Sequence, residues 1–284
     1  MNNRSLSLTV ALATSALSSM VLLSTASAAD LASAPAPAVY SKAPMVSPAT
    51  NWSGFFGGVN VGYGWGNGDM AFGDATPGFP GGSSFSTTPQ SVANGPSGVI
   101  GGGQIGYNWQ MGSLVAGLEA DIQGSGIRGM TQAPAALTLI LDPGEVISAT
   151  SEQKLSWFGT VRGRLGVTVT PNLLLFGTGG VAYGSVRNSG NAIDNDNVFR
   201  GEVFSFPASV QQTDTGWAAG AGAEWMFGRG WSAKVEYLHI DLGTASATGA
   251  ERHNNIVAGN ADAVAYHWHN QFDTVRAGVN YHFN

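Results

Sequence analysis

The chain ends in VRAGVNYHFN, residues 275–284, and this stretch alternates between two kinds of side chain. Val275, Ala277, Val279, Tyr281 and Phe283 share one parity, and a mainly polar set takes the other. A period of two predicts a β-strand with one apolar and one polar face. A final strand that ends in aromatic residues favours a closed barrel, because there the last strand pairs with the first and leaves no free edge.

Seven further segments show the same alternation, beginning with NWSGFFGGVNVGYGWG at 51–66. Each has the roughly 9–11 residues, or slightly more, that a tilted strand needs to cross a membrane. The other six lie near residues 97–109, 114–125, 154–169, 172–186, 213–226 and 231–241. The set predicts an all-β fold, an eight-stranded antiparallel up-and-down transmembrane β-barrel.

The connections between these segments alternate in length. Those after the second, fourth and sixth are very short: QMGS at 110–113, a turn around Pro171, and FGRG at 227–230. Those after the first, third, fifth and seventh run to roughly 25–31 residues. Membrane barrels have this arrangement, whereas both ends of a soluble sandwich meet the same solvent. We therefore expect short periplasmic turns and four long extracellular loops.

Composition and the N-terminus agree with an exported membrane protein. The apolar stretch of residues 6–23 precedes Ala26-Ser27-Ala28, which predicts a signal peptide at 1–28. A Pro- and Ala-rich segment at 29–50 reads as a periplasmic linker, and 51–284 is left for the barrel. Charged residues make up only 11% of the chain, against about a quarter in a soluble protein. The net charge of −6 argues against nucleic acid as a partner, and the absence of cysteine excludes thiol chemistry.

The parity opposite the aromatic residues carries charges of both signs, which predicts a balanced ion-pair network inside the barrel. Eight strands leave an interior just wide enough for side chains to fill it. On the outer face, a base at the membrane midplane would cost roughly 2–4 kcal/mol. The interior set comprises Glu119, Asp121, Arg162, Arg164, Glu224, Lys234, Glu236 and Arg276. Seven tryptophans near strand ends predict interfacial girdles: Trp52, Trp65, Trp109, Trp157, Trp217, Trp225 and Trp231.

The sequence resembles the eight-stranded outer-membrane β-barrel proteins of alphaproteobacteria, known as porin-family proteins or major surface antigens. The resemblance covers nearly all of residues 51–283 and implies the outer membrane of a Gram-negative bacterium, with lipid and lipopolysaccharide as surroundings. Some relatives bind haemin. The matching segments are NWSGFFGGVNVGYGWG (51–66), GGGQIGYNWQ (101–110), GLEAD (117–121), WFGTVRGRLGV (157–167), VEYLHIDLG (235–243) and VRAGVNYHF (275–283).

The last strand also resembles the signal that the barrel assembly machinery reads. In that resemblance, polar Arg276 is followed by Gly278 and by the aromatic residues Tyr281 and Phe283. The family usually ends on the aromatic residue itself, whereas Asn284 follows here.

Chemistry-bearing patterns are few. His267 and His269 in AYHWHN would project the same way from a strand, and with His253 they are the candidates for haemin; the alternative is that all three are solvated loop residues. No serine lies in a nucleophile elbow, so no catalytic residue is assigned and we expect no enzyme.

DNDN at 194–197 lacks the glycine and distal glutamate of a calcium loop and reads as a polar turn, so no metal site or resident cofactor is expected. The apolar stretch APAALTLILDPG at 133–144 favours a hairpin above the membrane.

Three functions remain open on the sequence. The first is a structural and surface role: membrane integrity and exposure of the loops. The second is a small, low-conductance porin, which inner glycines would favour but which the strand count opposes, since true porins use about 16–18 strands. The third is capture of haemin or a host ligand by the loops.

Overall fold

The computed structural model describes residues 50–75, 90–135, 146–196, 202–253, 256–257 and 263–283. The expected signal peptide at 1–28, and the linker at 29–50 except for Thr50, lie outside these residues, so both boundaries remain predictions. In the part of the chain that the structure describes, no helix is long and apolar enough to cross a membrane.

Nearly all described residues lie in β-strands, which we number along the chain. The strands are β1 (Gly54–Gly66), β2 (Asp69–Asp74), β3 (Gln90–Ala93), β4 (Ser97–Met111), β5 (Leu114–Ser125), β6 (Arg128–Ala135), β7 (Val146–Thr170), β8 (Leu173–Asp196), β9 (Glu202–Gly228), β10 (Trp231–Ala250), β11 (Arg252–His253), β12 (Ile256–Val257) and β13 (Ala263–Phe283). Eight of them form a closed antiparallel ring in the order β1-β4-β5-β7-β8-β9-β10-β13, and β13 returns to β1. The predicted eight-stranded barrel is confirmed.

The last strand closes this ring. β13 pairs with β1 from Phe283 opposite Phe55 to Phe272 opposite Gly66. Because both edges of the sheet are used in this way, the strand that ends at Phe283 is not an open edge.

The three periplasmic connections are tight hairpins of two residues each. They are Gly112–Ser113, Pro171–Asn172 and Arg229–Gly230. Gly112 and Gly230 have φ angles of 64° and 80°, which a glycine adopts without steric cost. The predicted short turns are therefore confirmed at all three places.

At the extracellular end the strands continue well past the membrane, so much of the long connections consists of paired strands. β8 and β9 remain paired up to Asp196 opposite Glu202, within the segment expected to be a loop. The DNDN segment was expected to form a polar turn, but its residues 194–196 continue strand β8. The expected hairpin from 133–144 is present as far as it is described, because β6 pairs with β7 up to Ala135 opposite Ile147. Above the membrane the outward face is no longer in contact with acyl chains, and in the upper β9 the apolar residues, such as Phe206, face inward while the outward residues are mostly polar.

The two faces of the barrel differ as the parity predicts. Phe55 on the outside is 66% exposed, whereas its neighbour Phe56 inside is 2% exposed. Aromatic residues gather at both rims, for example Trp231 with Tyr281 at the periplasmic rim and Trp157 with Tyr183 at the other. Trp52 departs from the predicted girdle, because its side chain is fully buried inside the periplasmic end.

Candidate functional site

The barrel interior holds all eight charged side chains of the predicted inner-face set, each of them buried. Arg162 lies at the centre, and its guanidinium contacts Glu119, Asp121 and Glu236 at 2.8, 2.9 and 2.7 Å. Thr160 supports this arrangement by accepting a hydrogen bond from Arg162 Nε at 2.8 Å and donating one to Asp121 at 2.8 Å.

The remaining bases continue the network around the same acids. Arg276 reaches Asp121 at 2.9 Å and Glu236 at 2.6 Å. Lys234 lies 2.7 Å from Glu119, while Glu119 also contacts Arg164 at 3.5 Å. Four acids and four bases therefore share one buried cluster, which places opposite charges within hydrogen-bonding distance where water is excluded.

Arg164 links the charged cluster to the periplasmic end of the barrel. Its guanidinium lies 2.7 Å from Glu224 and packs over the ring of Phe176, with 4.4 Å between the guanidinium carbon and the ring centroid. Phe176 belongs to an apolar group with Val115, Leu174 and Met226, under which Trp52 is buried. Trp52 donates a hydrogen bond from its indole nitrogen to the carbonyl of Pro171 at 3.2 Å, so the segment before β1 closes the periplasmic end.

A second polar group, which the sequence analysis did not single out, surrounds Glu224. Asn60 donates to Gln104 at 2.8 Å, Gln104 to Asn280 at 2.6 Å, and Asn280 to Glu224 at 2.8 Å. Each residue in this series of hydrogen bonds occupies an inward-facing position of its strand. A search of the inward positions for neutral polar residues, as well as for charged ones, would have identified these residues from the sequence.

Ser232, His282 and Glu224 meet in this polar group, but not as a catalytic triad. In a triad one ring nitrogen of the histidine faces the serine and the other faces the acid. Here Nε2 of His282 lies 3.1 Å from Ser232 Oγ and 3.1 Å from Glu224 Oε1. Nδ1 has no hydrogen-bond partner among the described residues, and all three side chains are buried.

Two more apolar layers cross the barrel above the charges. The first lies near the outer rim and contains eleven buried residues, with Phe158, Leu238 and Phe272 among them. The second lies in the extension beyond the membrane and includes Tyr266 and Trp268, whose rings stack with centroids 5.6 Å apart. Burial raises the pKa of the Tyr266 hydroxyl, which donates to the carbonyl of Phe206 at 2.6 Å. Together with the Trp52 group, these layers place buried apolar side chains inside the barrel at three heights.

Two of the three haemin candidates lie on the extension of β13, and His253 lies on β11. His267 and His269 are both exposed and share the outward parity, as expected for an extended segment. Nδ1 of His267 lies 2.8 Å from Ser246 Oγ. The side chain of His253 lies outside the described residues. In the described ranges no group of three or more His, Cys, Asp or Glu side chains is placed to hold a metal ion.

The residues of the expected assembly signal occupy the β13–β1 seam. Gly278 faces inward where a Cβ would lie only 2.7 Å from the carbonyl oxygen of Val59, so only glycine fits without a shift of the backbone. Tyr281 and Phe283 point outward, and their ring centroids are 5.0 Å apart at the periplasmic rim.

Comparison with known proteins identifies the fold with a described family. Residues 18–283 match the family described as the outer membrane protein beta-barrel domain. The chain belongs to this family. It is 32% identical over 249 residues to the 31 kDa outer-membrane immunogenic protein of Brucella melitensis, covering 85% of this chain and 88% of that protein. It is also 32% identical over 97 residues to a 22 kDa outer membrane protein of Rhizobium leguminosarum, covering 34% of this chain and 38% of that protein.

Among solved structures, the fold is similar to the outer membrane protein OprG of Pseudomonas aeruginosa. The TM-score is 0.48 at 12% identity, over 82% of this chain and 99% of OprG. The family and its alphaproteobacterial relatives locate the protein in the outer membrane of a Gram-negative bacterium, as the sequence predicts. Both relatives are named as outer-membrane proteins, and the Brucella protein is named as immunogenic.

Proposed function

We propose that this outer-membrane protein acts as a closed barrel whose role lies in membrane integrity and in the strands it presents at the cell surface. The packed interior carries this proposal, because three apolar layers and a neutralised charge cluster occupy the space that a pore or an active site would need. Neither solute passage nor catalysis is part of the role. The Ser232–His282–Glu224 contact supports the absence of catalysis, since it has neither the geometry of a triad nor access for a substrate.

Cysteine labelling tests surface presentation directly, because the natural chain contains no cysteine and gives no background. Thr248 is exposed on the extension of β10, and Arg229 is exposed in a periplasmic turn. In intact cells a membrane-impermeant maleimide should label Thr248→Cys and leave Arg229→Cys unlabelled, while both should react after lysis. Labelling of Arg229→Cys alone in intact cells would reverse the orientation and refute the proposal.

A second candidate, binding of haemin at the extension of β13, has one observation in its favour. Ser246 contacts Nδ1 of His267, while Nε2 has no hydrogen-bond partner among the described residues, and metal-binding histidines are oriented in this way by a contact to the other ring nitrogen. Haemin added to the folded protein should give a Soret shift that the double variant His267→Ala, His269→Ala loses. His239→Ala is the matched control, since His239 is bound instead to Asp273 at 2.8 Å. An unchanged shift in the double variant would eliminate this site.

A further inference from the structure

Three basic residues lie side by side on the outer surface of the barrel. Arg128 on β6 is directly opposite Lys154 on β7, and Lys154 is directly opposite Arg187 on β8. All three side chains are exposed. Directly opposed residues of neighbouring strands have Cβ atoms about 4.5–5.5 Å apart, and like charges in such positions destabilise a sheet. We call these three residues the basic row. Although the net charge of the whole chain is −6, three adjacent bases require a counter-charge close to them.

The described residues do not supply that counter-charge. No ion pair joins any member of the basic row to a described acid, whereas each base of the interior is paired. Gln211, opposite Arg187 on β9, continues the row with a neutral side chain. The nearest outward acid along β7 is Glu152, which lies opposite Met130 and Ser189, one outward position further from the membrane.

The basic row lies just above the membrane boundary. Trp157 and Tyr183 mark the outer aromatic rim on the same strands, with ring centroids 6.0 Å apart. Trp157 is opposite Ser185, so Arg187 is two residues, or about 7 Å, further along β8. Phosphate groups of an outer-leaflet lipid occupy this zone, immediately above the acyl chains that contact the aromatic rim. Below the rim the same face is apolar, with Val161 opposite Val181.

A cleft of about 350 Å³ opens directly above the basic row, lined by residues of β6, β7, β8 and β9 and by Arg252 of β11. Its lining is rich in groups that bind sugar hydroxyls, including Thr150, Glu152, Ser189 and Ser209. From the membrane outward the surface therefore changes from apolar to cationic to polar. An amphiphile with acyl chains, phosphates and sugars matches this order.

We propose that the basic row binds the phosphate groups of the glycolipid of the outer leaflet, lipopolysaccharide. The two arginines provide planar forks that bind phosphate oxygens in pairs, and Lys154 contributes a point charge between them. The sugar adjoining the phosphates then lies in the cleft, and the acyl chains lie against the apolar face. The phosphates supply the counter-charge that the protein surface lacks.

The test compares two double variants that remove the same charge. Lys154→Gln with Arg187→Gln removes two members of the basic row. Lys42→Gln with Arg229→Gln removes two bases of the predicted linker and a periplasmic turn. Each folded barrel is titrated with purified lipopolysaccharide, with enzymatically dephosphorylated lipopolysaccharide, and with inorganic phosphate.

The basic-row variant should bind lipopolysaccharide at least about tenfold more weakly, while the control variant should match the natural protein. Without lipopolysaccharide the basic-row variant should melt at the same or a higher temperature, because a repulsion has been removed; this separates lost binding from failed folding. Equal affinity of the two variants would overturn the proposal. So would undiminished binding of the dephosphorylated glycolipid, and inorganic phosphate binding as tightly as lipopolysaccharide would overturn the lipid assignment.

Discussion

Replacing Arg162 with alanine should lower the free energy of unfolding of the barrel by about 3–5 kcal/mol, the cost of removing one partner from a buried ion pair. Arg162 contacts three buried carboxylates, so its loss leaves Glu119, Asp121 and Glu236 with less compensation. Urea titration in lipid vesicles, followed by tryptophan fluorescence, measures this change.

Arg229→Ala is the control for this measurement, because it removes the same side chain from an exposed periplasmic turn. We expect it to change the stability by less than about 0.5 kcal/mol, as for surface substitutions in general. If both variants unfold at the same urea concentration, the interior charges do not stabilise the barrel as a network. The Arg162→Ala variant should acquire no enzymatic activity.

Replacing Val161 with arginine should destabilise the barrel by about 2–4 kcal/mol, the cost of a base on the lipid face near the membrane midplane. Val161 is 53% exposed on the outside and lies four residues from Trp157 of the aromatic rim. The same urea titration measures the loss, and unheated-gel mobility reports how much of the protein inserts.

Val203→Arg provides the matched control, because Val203 is also an exposed outward valine, at 46%, but lies on the extension of β9 beyond the membrane. It should leave the stability within about 0.5 kcal/mol. Equal losses at the two positions would show that the apolar band does not face lipid where the fold places it.

The transmembrane part of the fold was predictable because lipid imposes a strict rule on it. A strand between lipid and a filled interior alternates, and β1, β5 and the lower part of β13 do so along most of their length. Beyond the membrane that rule ends. In the upper part of β9 the inward residues Phe204, Phe206 and Val210 are apolar and most outward residues are polar, which is the reverse of the pattern within the membrane. A search for strands with an apolar outer face therefore stops at the membrane boundary, although the pairing continues.

The interior site was predictable in its membership but not in its connections. Parity alone identified Arg162 and Glu236 as inward residues on strands that are not neighbours. Their 2.7 Å contact across the lumen depends on barrel diameter and on how the strands are staggered, which a single sequence does not state. Trp52 precedes the first strand, where parity has no meaning, and only the three-dimensional structure shows that it closes the periplasmic end.

Single-channel recording on the refolded barrel in a planar bilayer tests the central claim most directly, which is that packed side chains close the lumen. Unheated-gel mobility first confirms that the protein is folded. We expect a silent bilayer, because the Trp52 group, the Phe158–Phe272 layer and the Tyr266–Trp268 layer each fill part of the lumen with buried side chains. Reproducible discrete conductance steps from the folded protein would contradict this account and favour the low-conductance porin.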